Sequence, residues 1–330
     1  MDETVDINEN LILHYDSEVL DILLRDHSTG RNIFWATSDY EGLGKGFEYD
    51  SPILPELITG EYVRVIRPRT LKARELQSAR VRGMAEVFTP SWICNAQNNL
   101  IDEAWFGRKG VFNRETELYD GTPSWEVNTA PITFPEGKTW RDYVRDIRLE
   151  ITCGEAPYIV SLYDATTGNH IPIERRIGLL DRKLRVIGEN TATSGDWLKW
   201  AREAYKSLYA YEWQGDSLLL AREAMFYSFV DYYRHKFNTE PLRKSVKCIA
   251  SIISWNVFQM DGLKCVIPDS CEPEIEDLFG DKTKQPCISC KDGSVHGHNG
   301  ISVFVKDWRA TDKETGKKGK KITFSSLIRQ

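Results

Sequence analysis

The chain has 330 residues, enough for about two domains, and with 41% hydrophobic residues it can bury a sizeable core. A net charge of −6 and a pI of about 5.7 argue against non-specific nucleic-acid binding by overall charge, but they leave room for a local basic face. No stretch approaches the roughly 20 apolar residues of a membrane helix, the N-terminal residues are acidic rather than typical of a secretory signal, and seven dispersed cysteines favour a reducing cytoplasm over a disulfide framework.

Hydrophobic spacing and turn residues predict the elements of the first half of the chain. In chain order they are a short helix after residue 18, a turn at 28–30, a β-like run over 32–37, a loop over 41–60, a helix over 91–106, a short helix over 139–146 and a strand-like run beginning at 148. Two amphipathic helices follow, over 173–187 and 196–209, and Asp196 is the expected N-cap of the second.

The second half of the chain continues the alternation of strands and helices. In chain order it has a strand-like run over 210–214, a long helix from 217 to about 236, an apolar helix ending in a strand over 245–260, a loop-rich stretch over 264–300, and a strand over 300–308 before a lysine-rich tail. Because strands alternate with helices, we expect an α/β fold with a parallel sheet.

One segment opposes the overall acidity of the chain. Residues 64–82 carry seven cations against the single acid Glu75, a local charge of +6. The seven are Arg64, Arg67, Arg69, Lys72, Arg74, Arg80 and Arg82. They are compatible with a solvated helix face, but their concentration favours contacts with the phosphates of DNA.

Two short motifs have the composition of a nucleotide-cofactor site. In RLEITCGEAPY, Glu150 begins a strand-like run and a turn at Cys153 and Gly154 follows. A glycine turn after a first strand lets the ligand of a Rossmann-like fold approach the backbone, although Gly154 is also compatible with an ordinary turn. Upstream, Phe88, Thr89 and Pro90 precede a predicted helix, which is equally typical of a plain helix start.

In combination, the FTP and LEITCGEAPY motifs resemble motif X and motif I of DNA adenine-N6 methyltransferases. The similarity is closest to the modification (M) subunits of restriction–modification systems in Bacteroides-type bacteria. It extends over most of the chain, including NIFWATSDY, AEVFTPSWICN, RLEITCGEAPYIV, IGLLDRKLRVI, SWNVFQMDGL and KDWRA. The resemblance implies a Rossmann-like S-adenosylmethionine-dependent methyltransferase sheet, permuted or incomplete. It assigns residues 1–82 to an N-terminal accessory or DNA-contacting module. Residues 83–330 form the methyltransferase-like domain, with an insertion at about 165–209 and a Cys-rich loop at 264–300.

The resemblance also implies which residues bind S-adenosylmethionine. An acid at the end of the second strand binds the cofactor ribose, and Glu212 in YAYEWQGD has that setting. A further acid near the adenine corresponds to Asp261 in FQMDGL. The full implied set is Phe88, Thr89, Pro90, Glu150, Cys153, Gly154, Glu212 and Asp261.

The sequence departs from the pattern of this family at three places. Ala156 stands in place of the second glycine of motif I, and Gly154 and Glu212 are 58 residues apart, which implies an inserted helical segment or a wrong assignment of Glu212. The catalytic Asn/Asp-Pro-Pro-aromatic motif is absent. Its expected position holds Asp307, to accept a hydrogen bond from the target amine, and Trp308, to stack on the flipped base. A strand end with an exposed salt bridge is the alternative.

A cysteine cluster lies within the loop-rich stretch. Cys265, Cys271, Cys287 and Cys290 fall within 26 residues, and His296 and His298 follow closely. This pattern is compatible with a structural zinc site and equally with free thiols in a cytoplasmic protein.

These features lead to an expected function and to alternatives. We expect an S-adenosylmethionine-dependent DNA adenine-N6 methyltransferase of restriction–modification type. It acts in the cytoplasm on double-stranded DNA, with a nuclease or specificity subunit as partner and no membrane. The 64–82 segment and the lysines at 317–321 would contact phosphate. The alternatives are a catalytically altered cofactor- or DNA-binding subunit of a defence complex, and a methyltransferase-like enzyme with a different modification chemistry.

Overall fold

The computed structural model of the protein describes residues 9–72, 80, 89–276, 282–316 and 318–328. Its α-helices in these ranges are α1 (Glu9–Tyr15), α2 (Ser17–Leu24), α3 (Ser91–Phe106), α4 (Trp140–Arg145), α5 (Leu179–Asn190), α6 (Ser194–Lys206), α7 (Gly215–Phe237), α8 (Arg243–Asn256) and α9 (Ile288–Asp292). Its strands are β1 (Asn113–Glu117), β2 (Pro123–Val127), β3 (Arg148–Glu150), β4 (Leu208–Glu212), β5 (Val257–Gln259), β6 (Glu274–Glu276), β7 (Lys282–Lys284), β8 (Phe304–Thr311) and β9 (Lys318–Thr323).

A small parallel sheet lies at the centre of the fold. Its strands run in the order β3-β4-β5, with Glu150 beside Ala210 and Glu212 beside Gln259. The other strands form separate antiparallel hairpins, β1-β2, β6-β7 and β8-β9. The prediction of a mixed α/β fold with a parallel sheet is therefore confirmed. Among the described residues, that sheet has only three strands.

Pairs of helices connect the parallel strands. Helices α5 and α6 lie between β3 and β4, and α7 and α8 lie between β4 and β5. The first pair lies within the 58-residue separation of Gly154 and Glu212, as the alternative of an inserted helical segment predicted. The predicted N-cap of α6 is wrong, because Thr193 occupies that position. Its hydroxyl accepts a hydrogen bond from the backbone N–H of Asp196, which lies three residues further on.

The N-terminal residues belong to the same hydrophobic core as the helices around the sheet. Trp35 is buried in one cluster with Leu20 and Phe226, and the side-chain amide of Gln259 pairs with both backbone groups of Phe34, at 3.0 and 2.9 Å. Described residues of the 9–72 range thus share a core with the rest of the chain. The division into an accessory or DNA-contacting module over 1–82 and a methyltransferase-like domain over 83–330 stays a prediction.

The second face of the sheet is covered by the β8-β9 hairpin. Val303 and Val305 pack against Tyr211 and Phe258, and the Tyr209 hydroxyl donates to the carbonyl of Lys306 at 2.8 Å. The expected lysine-rich tail is thus a strand, β9, which pairs antiparallel with β8. It contributes to the packing of the fold.

Two of the predicted DNA-contacting residues form a buried ion-pair network. Lys72 and Arg80 contact the Asp216 carboxylate at 2.9 and 2.6 Å, and the Tyr40 hydroxyl donates to it at 2.8 Å. Burial alone would raise the pKa of Asp216, but these two cations hold that pKa well below its usual range. The prediction that Lys72 and Arg80 face DNA is therefore wrong, because both neutralise an acid at the start of α7.

Asp216→Asn is expected to destabilise the fold strongly. The substitution leaves two buried cations without their counter-charge, which typically costs about 3–5 kcal/mol. Urea unfolding should show this loss, whereas Asp21→Asn, at an exposed aspartate of α2, should leave the unfolding free energy nearly unchanged. Equal stabilities of the two variants would contradict the role of the network.

Candidate functional site

The carboxyl ends of the three parallel strands bring the predicted cofactor acids to one edge of the sheet. Glu150 is the last residue of β3 and Glu212 the last of β4, while Asp261 lies two residues beyond the end of β5. Ligands of open parallel α/β sheets bind at this edge, where the loops leave the strands. The structure therefore brings together the three acids that the sequence singled out.

The loop after β3 is bonded directly to the end of β4. The N–H of Cys153 donates to the carbonyl of Tyr211 at 2.9 Å, and the N–H of Gly154 donates to Oε2 of Glu212 at 2.8 Å. Gly154 has φ +54°, and Ala156, which stands in place of the second glycine, has φ +58°. Ala156 thus adopts a conformation that favours glycine, so the loop keeps a glycine-type backbone at that position.

Glu212 is held by three backbone amides. In addition to Gly154, the N–H groups of Trp213 and Gln214 donate to its Oε1 at 2.8 and 3.3 Å. Burial nevertheless raises the pKa of Glu212 above its usual value. Because a carboxylate offers about four acceptor positions, one remains for a hydroxyl of a ligand.

Glu150 is half-buried, and Cys153, three residues further on, is buried. Glu150 accepts hydrogen bonds from the N–H groups of Tyr158 and Ile159 at 3.4 and 3.1 Å, and burial raises its pKa to about 8. Burial also raises the pKa of the Cys153 thiol well above its usual value. Cys153 is therefore a neutral packing residue of the loop rather than a reactive thiolate.

The start of α3 is attached to the residues that follow the glycine loop. The N–H of Ser91 donates to Asp164 Oδ2 at 2.9 Å, and further along α3 the Asn98 side-chain amide donates to the Tyr158 carbonyl at 3.0 Å. The predicted motif X thus lies beside the predicted motif I. Thr89 does not cap the helix, since Pro90 is the N-cap residue, and Phe88 lies outside the described residues.

The Asp261 carboxylate stabilises its own turn. Its Oδ1 accepts from the N–H groups of Leu263 and Lys264 at 2.9 and 3.2 Å, and its Oδ2 lies 3.6 Å from the Lys264 ammonium. Gly262 is required here because a Cβ would lie 2.6 Å from the Tyr211 ring. These contacts fix Asp261 at the edge, while its contact with an adenine stays a prediction.

Sequence reasoning missed an aromatic group beside Glu212. The Trp213 indole donates to the Tyr49 hydroxyl at 3.2 Å, and Tyr49 in turn donates to Asp269 Oδ2 at 2.5 Å. Burial raises the pKa of Tyr49 to about 12. Tyr49 and Asp269 line a cavity of about 250 Å³ next to Phe34. The available signal was an aromatic residue directly after the strand-ending acid.

The predicted catalytic pair lies at the opposite end of the sheet. Strand β8 runs through Asp307 and Trp308 instead of ending before them. The Trp308 indole donates to Asn256, the residue just before β5, at 2.8 Å, and the guanidinium of Arg309 donates to the carbonyl of Arg145, shortly before β3. Both contacts are at the amino ends of the parallel strands. The expected strand end at Asp307 is therefore wrong, and this position does not favour a catalytic role at the cofactor edge.

The remaining basic residues of the 64–82 segment differ in exposure. Arg64 and Arg67 are exposed, and the Arg67 guanidinium donates to the carbonyl of Arg64 at 2.6 Å. Arg69 is half-buried. Arg74 and Arg82 lie outside the described residues. The exposed part of the predicted DNA-contacting set is thus smaller than the sequence charge indicates.

A second candidate site is a cluster of three cysteines and one histidine. The ligand atoms of Cys271, Cys287, Cys290 and His298 all lie within 4.8 Å of one another. The three sulfur atoms are 3.5, 3.4 and 3.5 Å from His298 Nδ1. Tetrahedral zinc with ordinary Zn–S and Zn–N bonds places such atoms about 3.5 Å apart. The cluster can therefore hold a metal ion.

Neighbouring groups orient the ligands. Nε2 of His298 lies 2.7 Å from the carbonyl of Ser294, so its hydrogen points there and the Nδ1 lone pair faces the sulfurs. Backbone hydrogen bonding, first from Asn299, lowers the pKa of the Cys287 thiol to about 6. A lowered thiol pKa favours metal binding, since the ligand is the thiolate.

The predicted fourth cysteine ligand is wrong. Cys265 is 1% exposed and packs in an apolar cluster with Met260 and Val303. His298 is the fourth member of the cluster in its place. The other nearby histidine, His296, accepts through its backbone carbonyl from Ser289 at 2.7 Å.

Comparisons with known proteins return no relative for this chain: no family model, no curated protein and no solved structure matches it. Across the described residues, no helix is both long and apolar enough to cross a membrane.

Glu150→Gln is expected to flatten the pH dependence of stability. The pKa of Glu150 is raised in the folded state, so its stabilising contribution is complete below the ordinary value of 4.5 and is lost as the pH rises through about 8. Between about pH 5 and pH 9, the free energy of unfolding measured with denaturant should fall more for the wild type than for the variant, by a few kcal/mol. Glu117→Gln, at an exposed carboxylate, should follow the wild type. Parallel curves for the wild type and Glu150→Gln would contradict the neutral, buried state.

Proposed function

We propose that the chain binds S-adenosylmethionine at the carboxyl edge of its parallel sheet and serves DNA adenine-N6 methylation in a restriction–modification system. The observation that carries this proposal is the 2.8 Å hydrogen bond from Gly154 to Glu212. It joins the loop after the first parallel strand to the acid that ends the second, and these are the two places at which Rossmann-like folds bind a ribose-containing cofactor.

Each group at this edge has a defined part in cofactor binding. Glu212 accepts a ribose hydroxyl at its remaining acceptor position, and Gly154 permits close approach to the backbone. Asp261 accepts a hydrogen from the adenine amine, and Thr89 flanks the loop. S-adenosylmethionine carries a positive sulfonium, which favours a sheet edge that carries acids such as Glu150 over a basic one.

DNA is the proposed second ligand, and two exposed basic regions support it. Strand β9 carries Lys318, Lys320 and Lys321 on the surface, and Arg64 and Arg67 are exposed elsewhere. Lys317 lies outside the described residues. Such side chains neutralise phosphates and would supply a salt-dependent part of the affinity in a protein of net charge −6.

A second candidate function is that of a cofactor- or DNA-binding subunit without its own methyl transfer. The observation that favours it is the place of Asp307 and Trp308 at the amino ends of the strands, away from Glu150 and Glu212. A partner, such as a modification or specificity subunit, would then provide the group that acts on the adenine. A different modification chemistry is compatible with the same arrangement.

For the cysteine–histidine cluster we propose zinc as the metal. Three thiolates and one imidazole form a common structural zinc set, whereas magnesium and calcium prefer oxygen ligands. With four protein ligands at Cys271, Cys287, Cys290 and His298, the coordination sphere is closed. A closed sphere favours a structural role over a catalytic one.

Isothermal titration calorimetry tests the cofactor proposal. The wild type should bind S-adenosylmethionine, and Glu212→Gln should weaken binding at least about tenfold, or roughly 1.4 kcal/mol, because an amide replaces the ribose acceptor. Glu117→Gln should bind like the wild type. Circular dichroism establishes that the variants are folded. Absence of binding by the folded wild type would contradict the proposal.

Nucleoside mass spectrometry of host DNA separates the two candidate functions. Expression in a strain without adenine methylation should produce N6-methyladenine, and this product should persist in Asp307→Asn because Asp307 lies far from the cofactor edge. A chain that binds the cofactor but gives no modified base would favour the binding subunit. Loss of the product in a folded Asp307→Asn variant would restore Asp307 as a catalytic residue.

A further inference from the structure

A narrow ribbon of backbone connects the metal cluster to the cofactor edge. Residues 261–271 run beside residues 298–303. The Ile267 N–H donates to the Ile301 carbonyl at 2.8 Å, and the Val303 N–H donates to the Cys265 carbonyl at 3.3 Å. Val266 also forms a bridge with Ser302. The two stretches are therefore joined by backbone hydrogen bonds, and within the first stretch the Asp261 N–H donates to the Val266 carbonyl at 2.8 Å.

Two of the metal ligands hold the far end of this ribbon. Cys271 ends one stretch and His298 begins the other, and their ligand atoms are 3.5 Å apart. Next to them, the N–H of Glu272 donates to Asn299 Oδ1 at 3.0 Å. The stretches also approach closely at Gly300, where a Cβ would lie 3.0 Å from the Cys271 nitrogen. A metal ion bound here would hold the end of the first stretch, at Cys271, against the start of the second, at His298.

The near end of the ribbon is the turn that presents Asp261. Lys264, within this turn, lies 3.6 Å from Asp261 Oδ2. The metal cluster and the proposed adenine-binding acid thus lie at the two ends of one backbone ribbon.

We propose that metal occupancy of Cys271, Cys287, Cys290 and His298 sets the affinity of the carboxyl edge for its ligand, acting through the 261–271 ribbon. This inference rests on the proposed cofactor site. With the metal bound, the ribbon is closed and Asp261 is held in position. Without the metal, the three thiols and the imidazole no longer join the two stretches. The ligand must then order the turn as it binds, and the entropy cost of this ordering lowers its affinity.

Thermodynamic linkage makes the proposal reciprocal. If the metal increases the affinity for S-adenosylmethionine by some factor, S-adenosylmethionine must increase the affinity for the metal by the same factor. Couplings between sites within one domain are typically about 5–150-fold. Two independent titrations must therefore give the same factor, and for a purely structural zinc ion with no influence on Asp261 that factor would be 1.

The test compares zinc-loaded protein with chelator-treated protein. Calorimetry should show S-adenosylmethionine binding weakened at least about fivefold after zinc removal and restored when zinc is returned. Cys290→Ser should behave like the zinc-free protein. Cys248→Ser, at a free cysteine of α8 outside the cluster, is the matched control and should behave like the wild type. Hydrogen exchange should show zinc-dependent protection of residues 261–267 even without the cofactor.

The outcomes separate this proposal from the proposed function. Equal S-adenosylmethionine affinity with and without zinc overturns the coupling and leaves the cofactor site intact. No S-adenosylmethionine binding by zinc-loaded protein overturns the cofactor site and the coupling with it. Failure of the protein to bind zinc, or Co²⁺ as a spectroscopic substitute, overturns the metal site. Exchange in 261–267 that is unaffected by zinc also overturns the coupling, because the ribbon would then not respond to the metal.

Discussion

The hydrogen bond between Gly154 and Glu212 is the contact on which the arrangement of the carboxyl edge depends. A carboxylate that leaves water loses much hydration energy unless hydrogen bonds replace it. Here three backbone amides do so, and they come from the loop after β3 and from the residues between β4 and α7. Because this one half-buried carboxylate needs all three hydrogen bonds, the glycine loop, the end of β4 and the start of α7 are held in place together.

The start of α7 contains a second buried acid that organises the chain in another direction. Asp216 lies four residues after Glu212 and recruits Lys72 and Arg80 from the basic segment into the core. The same charges that suggest DNA binding in the sequence thus neutralise an internal carboxylate. Glu212 accepts three amide hydrogen bonds and keeps one acceptor position for a ligand. Asp216 accepts from Lys72, Arg80, Tyr40 and the Ser217 N–H, so it has no acceptor position left.

Local patterns predicted some elements well and failed where distant residues decide. The helix over 91–106 and the helix–strand unit over 245–260 follow from hydrophobic spacing alone, and Glu212 was recognised from its place at a strand end. The extent of β8 depends on its pairing with β9, so no local signal at Asp307 marks it. Likewise, His298 rather than Cys265 lies in the metal cluster, because Cys265 packs in an apolar cluster with Met260 and Val303.

Two acids at the carboxyl edge, Glu150 and Glu212, have raised pKa values. Glu150, with a pKa of about 8, is largely protonated at neutral pH, and the pKa of Glu212 is also raised by burial. A cation placed between these acids would favour their ionised forms and lower both pKa values. Binding of a positively charged cofactor would therefore release protons near neutral pH, whereas an uncharged adenosine would not. Under the proposed function, these half-buried acids would distinguish the sulfonium cofactor from its neutral analogues.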